Sequence, residues 1–265
     1  MVPDKNIRRN GWLALVAAAL FVLTALSAEP ARAITCKVTP DNIGIDLMYH
    51  GATLTVTGES AAGDDLIVKV SSTKYSDVHL KYKGKASGIF WMKLGNMEYK
   101  NVPNVYMLYS TAPLNNMLDA GERAVNQIGF DAIQANSEME RSDGAEVGAE
   151  WFDEFLKFKQ KEKLYSITES TISRKPGANG NTFSLEVAWP FQAPPENYTV
   201  QVLAVRDGKV VDQASAPITV AQAGMVKKLS GLAFNNSAVY GIMAIIIAMV
   251  AGFAVGAVFK GGGSH

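Results

Sequence analysis

The side chains able to ligate a metal or attack a substrate are few in this chain: a single cysteine, Cys36, and three histidines, His50, His79 and His265. A thiol with no second thiol at C-x-x-C spacing and no adjacent histidine forms neither a thioredoxin-type dithiol nor a covalent haem site. A single cysteine also forms no intrachain disulfide, so the core must hold the fold even in an oxidising compartment. His50 precedes Gly51 at a turn, and His79 lies beside Lys81 on the polar side of a strand pattern, so neither has a partner at metal-ligand spacing. Met48, Met92, Met97 and Met107 carry the soft sulfur that takes copper(I), but they are scattered, and core filling is the simpler expectation. Asp64 and Asp65 adjoin Gly63, where turn formation and solubility account for paired acids. No G-x-S-x-G, Walker-type or H-E-x-x-H pattern occurs. The sequence therefore offers no catalytic residue, no cofactor-binding residue and no metal site, and it reads as that of a non-enzymatic protein. Only dispersed residues converging in the fold could provide an enzyme.

Charge narrows the classes further. Lys+Arg and Asp+Glu are equal at 25 each, so no global field draws the chain to nucleic acid.

Two apolar segments bracket the rest of the chain. Residues 1–33 have the form of a secretory signal: Lys5, Arg8 and Arg9 precede an apolar run over residues 12–28, and Ala31-Arg32-Ala33 forms an A-x-A cleavage site. The mature chain is expected to begin at Ile34; an uncleaved N-terminal anchor is the alternative. Cys36 follows closely enough to raise lipidation, but Ala33-Ile34-Thr35 lacks the leucine and the small residue of a bacterial lipobox. The second segment, residues 238–259, has no charge. At about 1.5 Å per residue it reaches about 33 Å, enough to cross the hydrocarbon of a bilayer. Tyr240 is an interfacial aromatic at one end and Lys260 closes the other, ahead of a short tail at residues 260–265. Ala244, Ala248, Gly252 and Gly256 recur at every fourth position, a small-residue stripe that lets a partner helix approach closely. The signal sequence predicts a bacterial inner-membrane protein with one pass, its bulk in the periplasm and its C-terminus in the cytoplasm. Lys227 and Lys228 on the outer side run weakly against the positive-inside rule.

Between these segments the periodicity changes twice. Over residues 34–112, Leu54 and Val56, Leu66, Val68 and Val70, and Val78, Leu80 and Tyr82 alternate with other residues, with glycines between the runs. This pattern predicts an immunoglobulin-like antiparallel β-sandwich. Residues 113–164 read as a helical insert, begun by Pro113 after the hydroxyls of Ser110 and Thr111. One stripe runs through Val125, Ile128, Ala132 and Ile133, and a second through Val147, Trp151, Phe155 and Phe158. The charges beside the second stripe, from Glu150 to Lys163 and including an Asp153–Lys157 pair, read as a solvated face. Residues 165–222 return to strands, with Asp207-Gly208 as a hairpin turn, and residues 223–237 link them to the membrane. The expected fold class is thus mainly β, with a helical insert, further C-terminal strands and one C-terminal transmembrane helix.

Several short motifs carry a family resemblance. Gly88-Ile89-Phe90-Trp91-Met92, Val102-Pro103-Asn104-Val105-Tyr106 and Ser110-Thr111-Ala112-Pro113-Leu114 resemble a transmembrane protein family first described from alphaproteobacteria and labelled Alph_Pro_TM. Pro194-Pro195-Glu196-Asn197-Tyr198-Thr199-Val200, the Arg206-Asp207-Gly208-Lys209-Val210-Val211 hairpin and Tyr240-Gly241 are similar to later features of that family. The resemblance carries over no catalytic residue. It implies a periplasmic domain on a C-terminal anchor, working beside a multi-pass transporter of the sulfite-exporter type. The functional expectation is an accessory subunit that binds an integral membrane protein through Ala244, Ala248, Gly252, Gly256 and its periplasmic domain. The alternative is a periplasmic module that captures a small anion or metal and delivers it to the membrane.

Overall fold

Strict alternation in the sequence becomes half-covered strands. In β11 (Gly180–Trp189), Phe183, Leu185, Val187 and Trp189 are buried and the residues between them exposed, as one face on a core requires. The computed structural model describes residues 33–86, 90–177 and 180–260, so the signal segment up to residue 32 and the tail from residue 261 lie outside the described residues. β11 pairs antiparallel with β3 (Ala52–Ser60) in a sheet completed by β1 (Lys37–Thr39) and β10 (Ser173–Gly177), in the order β1-β3-β11-β10. A second sheet takes the order β2-β13-β12-β4-β7-β9, built from β2 (Asn42–Ile45), β4 (Asp65–Ser72), β7 (Tyr106–Ser110), β9 (Tyr165–Thr168), β12 (Asn197–Arg206) and β13 (Lys209–Gln222). Its inner pairs are antiparallel; β13–β2 and β7–β9 are parallel.

The two sheets share a core. Trp189 of the first meets Tyr198 of the second edge-on at 4.7 Å between ring centroids. Central strands of the second sheet are buried on both faces, with Leu66, Ile67 and Val68 of β4 and Val202, Leu203, Ala204 and Val205 of β12 in continuous runs. Lys69, on the same face of β4 as Ile67, donates through Nζ to the carbonyl of Asn126 at 2.8 Å, which places the helical segment over that face. Each such aliphatic side chain contributes about 1.5–3 kcal/mol by burial.

The helical segment is more broken than its periodicity predicts. It comprises α1 (Leu114–Met117), α2 (Ala120–Val125), α3 (Phe130–Asn136) and α4 (Glu150–Lys161), with strand β8 (Glu138–Arg141) between the last two. Gly129, at φ +99°, separates α2 from α3, so Val125 is 82% exposed while Ile128 and Ile133 are buried. The expected hydroxyl cap also goes elsewhere: Thr111 Oγ1 donates to Asp65, and the amide of Leu114 donates to the Glu169 carboxylate at 2.9 Å. The predicted Asp153–Lys157 pair is instead Glu154–Lys157, at 2.7 Å.

A third sheet, β5-β6-β8, is dominated by a long hairpin of β5 (Tyr75–Ala86) and β6 (Phe90–Pro103). α4 packs on part of it, with Tyr99 stacked on Phe155 and Tyr82 edge-on to Trp151, at centroid distances of 4.5 and 5.0 Å. The predicted Asp-Gly turn joins β12 to β13, with Asp207 and Gly208 both at positive φ. After β13 come α5 (Gly224–Asn235) and α6 (Ser237–Lys260). The protein is thus mainly β, with antiparallel sheets and one C-terminal apolar helix.

Candidate partner-binding surfaces

α6 is apolar on every side. Residues Ser237–Ala257 are long and apolar enough to cross a membrane, and none of that span is buried within the protein. Asn236 joins it to α5: its amide donates to the Leu232 carbonyl at 2.9 Å, and its own carbonyl accepts from the Tyr240 amide at 3.0 Å. Ala244, Ala248, Gly252 and Gly256 are all exposed, and a Cβ added at Gly252 or Gly256 meets no atom within 4 Å. Steps of four residues advance about 40° past a full turn, so the small positions form a slanted ridge. A helix laid along that ridge crosses at an angle, the geometry of close G-x-x-x-G contacts.

The residues with chemical potential are dispersed. Cys36 is half-buried, its Sγ 3.9 Å from the Val200 carbonyl, and burial pushes its thiol up to about 11, which keeps it protonated and unreactive at neutral pH. It borders an open cleft of about 530 Å³ with Lys37, Glu59, Lys175 and Phe183. His79 Nε2 lies 3.8 Å from Glu98 on an exposed strand face, and the His50 ring bonds the nearby Met48 carbonyl. Among the described residues no group of three or more His, Cys, Asp or Glu side chains could hold a metal ion. Met97 and Met107 fill the core as expected, whereas Met48 and Met92 are 79% and 51% exposed.

Two charged residues have roles that local sequence does not show. Asp64, expected as a solvated turn acid, is 3% exposed and accepts from Arg206 Nη2 and Nε at 2.6 and 2.7 Å. Lys159, expected on the solvated side of α4, is also 3% exposed. Its Nζ donates to the Asn104 carbonyl at 3.2 Å and lies 5.6 and 5.3 Å from the ring centres of Phe155 and Tyr165. Burial lowers its pKa to about 8, against a smaller opposing pull from Glu196. Glu196 itself is held by Ser72 Oγ at 2.8 Å and by the Asn104 amide. This network buttresses α4 on the strands. The signal available in sequence was the spacing of Phe152, Phe155 and Lys159, which puts the lysine on the apolar side of the helix.

Residues 33–261 match the model of a family described as "Putative transmembrane protein (Alph_Pro_TM)". No curated protein matches the chain.

Proposed function

The chain belongs to this transmembrane protein family, and from that premise we propose that it is a non-enzymatic, membrane-anchored accessory subunit of a multi-pass membrane protein. The observation that carries this reading is the small-residue ridge of Ala244, Ala248, Gly252 and Gly256, bare along a helix whose every face is open. Lipid solvates an apolar helix without any such ridge, so a continuous line of small residues favours a helix as its neighbour. In the same reading the β body lies in the periplasm of a bacterial inner-membrane protein, the C-terminus is cytoplasmic, and the partner is a transporter of the sulfite-exporter type. A module for capturing small anions has less support: the cleft beside Cys36 sets Lys37 and Lys175 against Glu59, a lining of mixed charge.

The test is to purify the native protein in mild detergent and identify the integral membrane protein that accompanies it, then repeat with Gly252→Leu and Gly256→Leu combined. Leucine fills the space that close approach needs, so partner recovery should fall at equal membrane abundance while insertion is retained. Unchanged recovery removes the ridge as an interface.

A further inference from the structure

The β5–β6 hairpin is covered along only part of its length. Cross-strand register puts Tyr99, Met97 and Tyr82 on the face that α4 covers, and Met92, opposite Gly84, and Phe90, two residues farther out, continue that face outward. Leu94 is the extra residue at the register shift, and it lies over Gly84, where an added Cβ would collide with Leu94 Cδ1. Phe90, Met92 and Leu94 are 72%, 51% and 52% exposed. The apolar face thus runs on past the end of its cover.

The opposite face of the same segment is cationic. Lys81, Lys83 and Lys93 are exposed, and Lys83 stands directly across from Lys93. Like charges opposed across a strand pair destabilise it, and no acid among the described residues pairs with either lysine. Residues 80–97 contain lysines but no Asp or Glu. Folding alone gives no reason to gather positive charge and bare apolar side chains at one end of a hairpin; an anionic apolar interface gives a reason for both.

We propose that the outer end of the β5–β6 hairpin is a second membrane contact, which inserts Phe90 and, less deeply, Met92 into the interface of an anionic bilayer, with Leu94 at the level of the headgroups, while Lys81, Lys83 and Lys93 meet lipid phosphates. Strand rise sets the depth: Phe90 and Lys93 are three residues apart, about 10 Å along the strand. An apolar residue buried in the headgroup–acyl boundary therefore leaves the lysines at phosphate level. The bilayer is at hand because the chain carries its own membrane helix. This contact goes beyond the accessory-subunit reading and does not depend on it, since it requires lipid alone.

The full chain with Cys36→Ser and Phe90→Cys, labelled at residue 90 with an environment-sensitive fluorophore, is reconstituted in vesicles of phosphatidylcholine with and without phosphatidylglycerol. Met92→Cys in the same background is the second probe, should Phe90→Cys fail to fold. In anionic vesicles the label should shift to the blue and be quenched by spin label on the acyl chains. It should return to water in pure phosphatidylcholine and at high salt. Lys83→Gln and Lys93→Gln should each lower the docked-to-free ratio about fivefold. Equal quenching in both lipids, or a label that stays in water in both, overturns the proposal. A label shielded only in native membranes overturns it too, because it gives the surface to a protein partner.

Discussion

Lys159 holds an ammonium among aromatic rings, and its removal has a calculable effect. Its pKa falls from 10.5 to about 8 because burial disfavours the charged form. At about 1.4 kcal/mol per unit, holding the charge inside at neutral pH costs about 3 kcal/mol. Between pH 8 and 10.5 the folded state has released this proton and the unfolded state has not, so the unfolded state binds more protons and stability rises with pH. Lys69, also lowered to about 8 by burial, acts in the same direction. The tyrosines act oppositely. Burial raises Tyr99 to about 12 and pushes Tyr106, Tyr165 and Tyr198 up as well, so above pH 10 the unfolded chain loses their protons first and stability falls. The wild-type profile should therefore climb from pH 8 to a maximum near 10. Lys159→Met keeps the aliphatic stem and deletes the charge, at a loss of about 1 kcal/mol for the hydrogen bond to Asn104. The variant should be about 2 kcal/mol more stable at pH 7, with roughly half the alkaline rise left to Lys69. Urea unfolding of the full chain in mild detergent, followed by tryptophan fluorescence from pH 7 to 10, measures both. A variant less stable than wild type at pH 7, with an unchanged profile, would refute the reasoning.

Three further outcomes follow from particular contacts. Arg206→Ala strands the Asp64 carboxylate in the interior; because the arginine side chain is itself half-exposed, the expected loss is about 2 kcal/mol by urea unfolding, below that for a fully buried pair. A chain ending before Ser237 should be soluble, with a folded β signal in circular dichroism, because both large sheets are complete by Gln222; an aggregated or unfolded fragment shows that the membrane segment completes the fold. Cleavage before Ile34 would turn the main-chain nitrogen that lies 2.7 Å from Asp212 Oδ2 into an ammonium; mass analysis of the membrane fraction should find Ile34 first, and Asp212→Asn should cost the processed chain about 1–2 kcal/mol.

What the sequence reveals here is what depends on neighbours along the chain. The alternation of Phe183, Leu185, Val187 and Trp189, the Asp207-Gly208 turn, and the uncharged run that becomes α6 are local patterns, and each became the expected element. Pairing is a different matter. Residues 34–112 and 165–222 read as successive β regions, yet β11 joins β3 and β12 joins β4, so their strands interleave in the same two sheets. Nothing in an alternating strand names its neighbour. Asp64 and Arg206 are 142 positions apart, and no local rule links them. Lys159 was hidden by a general preference of lysine for water, which the rings of Phe155 and Tyr165 and the Asn104 carbonyl, far apart in sequence, override. The Ala244–Gly256 spacing was legible because a helix maps spacing directly onto a face. The bare end of the β5–β6 hairpin was not, because exposure there depends on where α4 stops.

The interleaved sheets also set an order of events during synthesis. β2 begins at Asn42 and its parallel neighbour β13 ends at Gln222, so the second sheet closes only after most of the chain has been made. The first sheet likewise waits for β11. Early strands can pair among themselves, β1 with β3, β4 with β7 and β5 with β6, but β3 and β4 each keep one edge open until β11 and β12 arrive across loops of well over a hundred residues, which is the slow and aggregation-exposed regime of β folding. The membrane helix starts at Ser237, shortly after the last of these strands. The body thus becomes able to fold at almost the moment its anchor is made, and its maturation is tied to the membrane in time as well as in space.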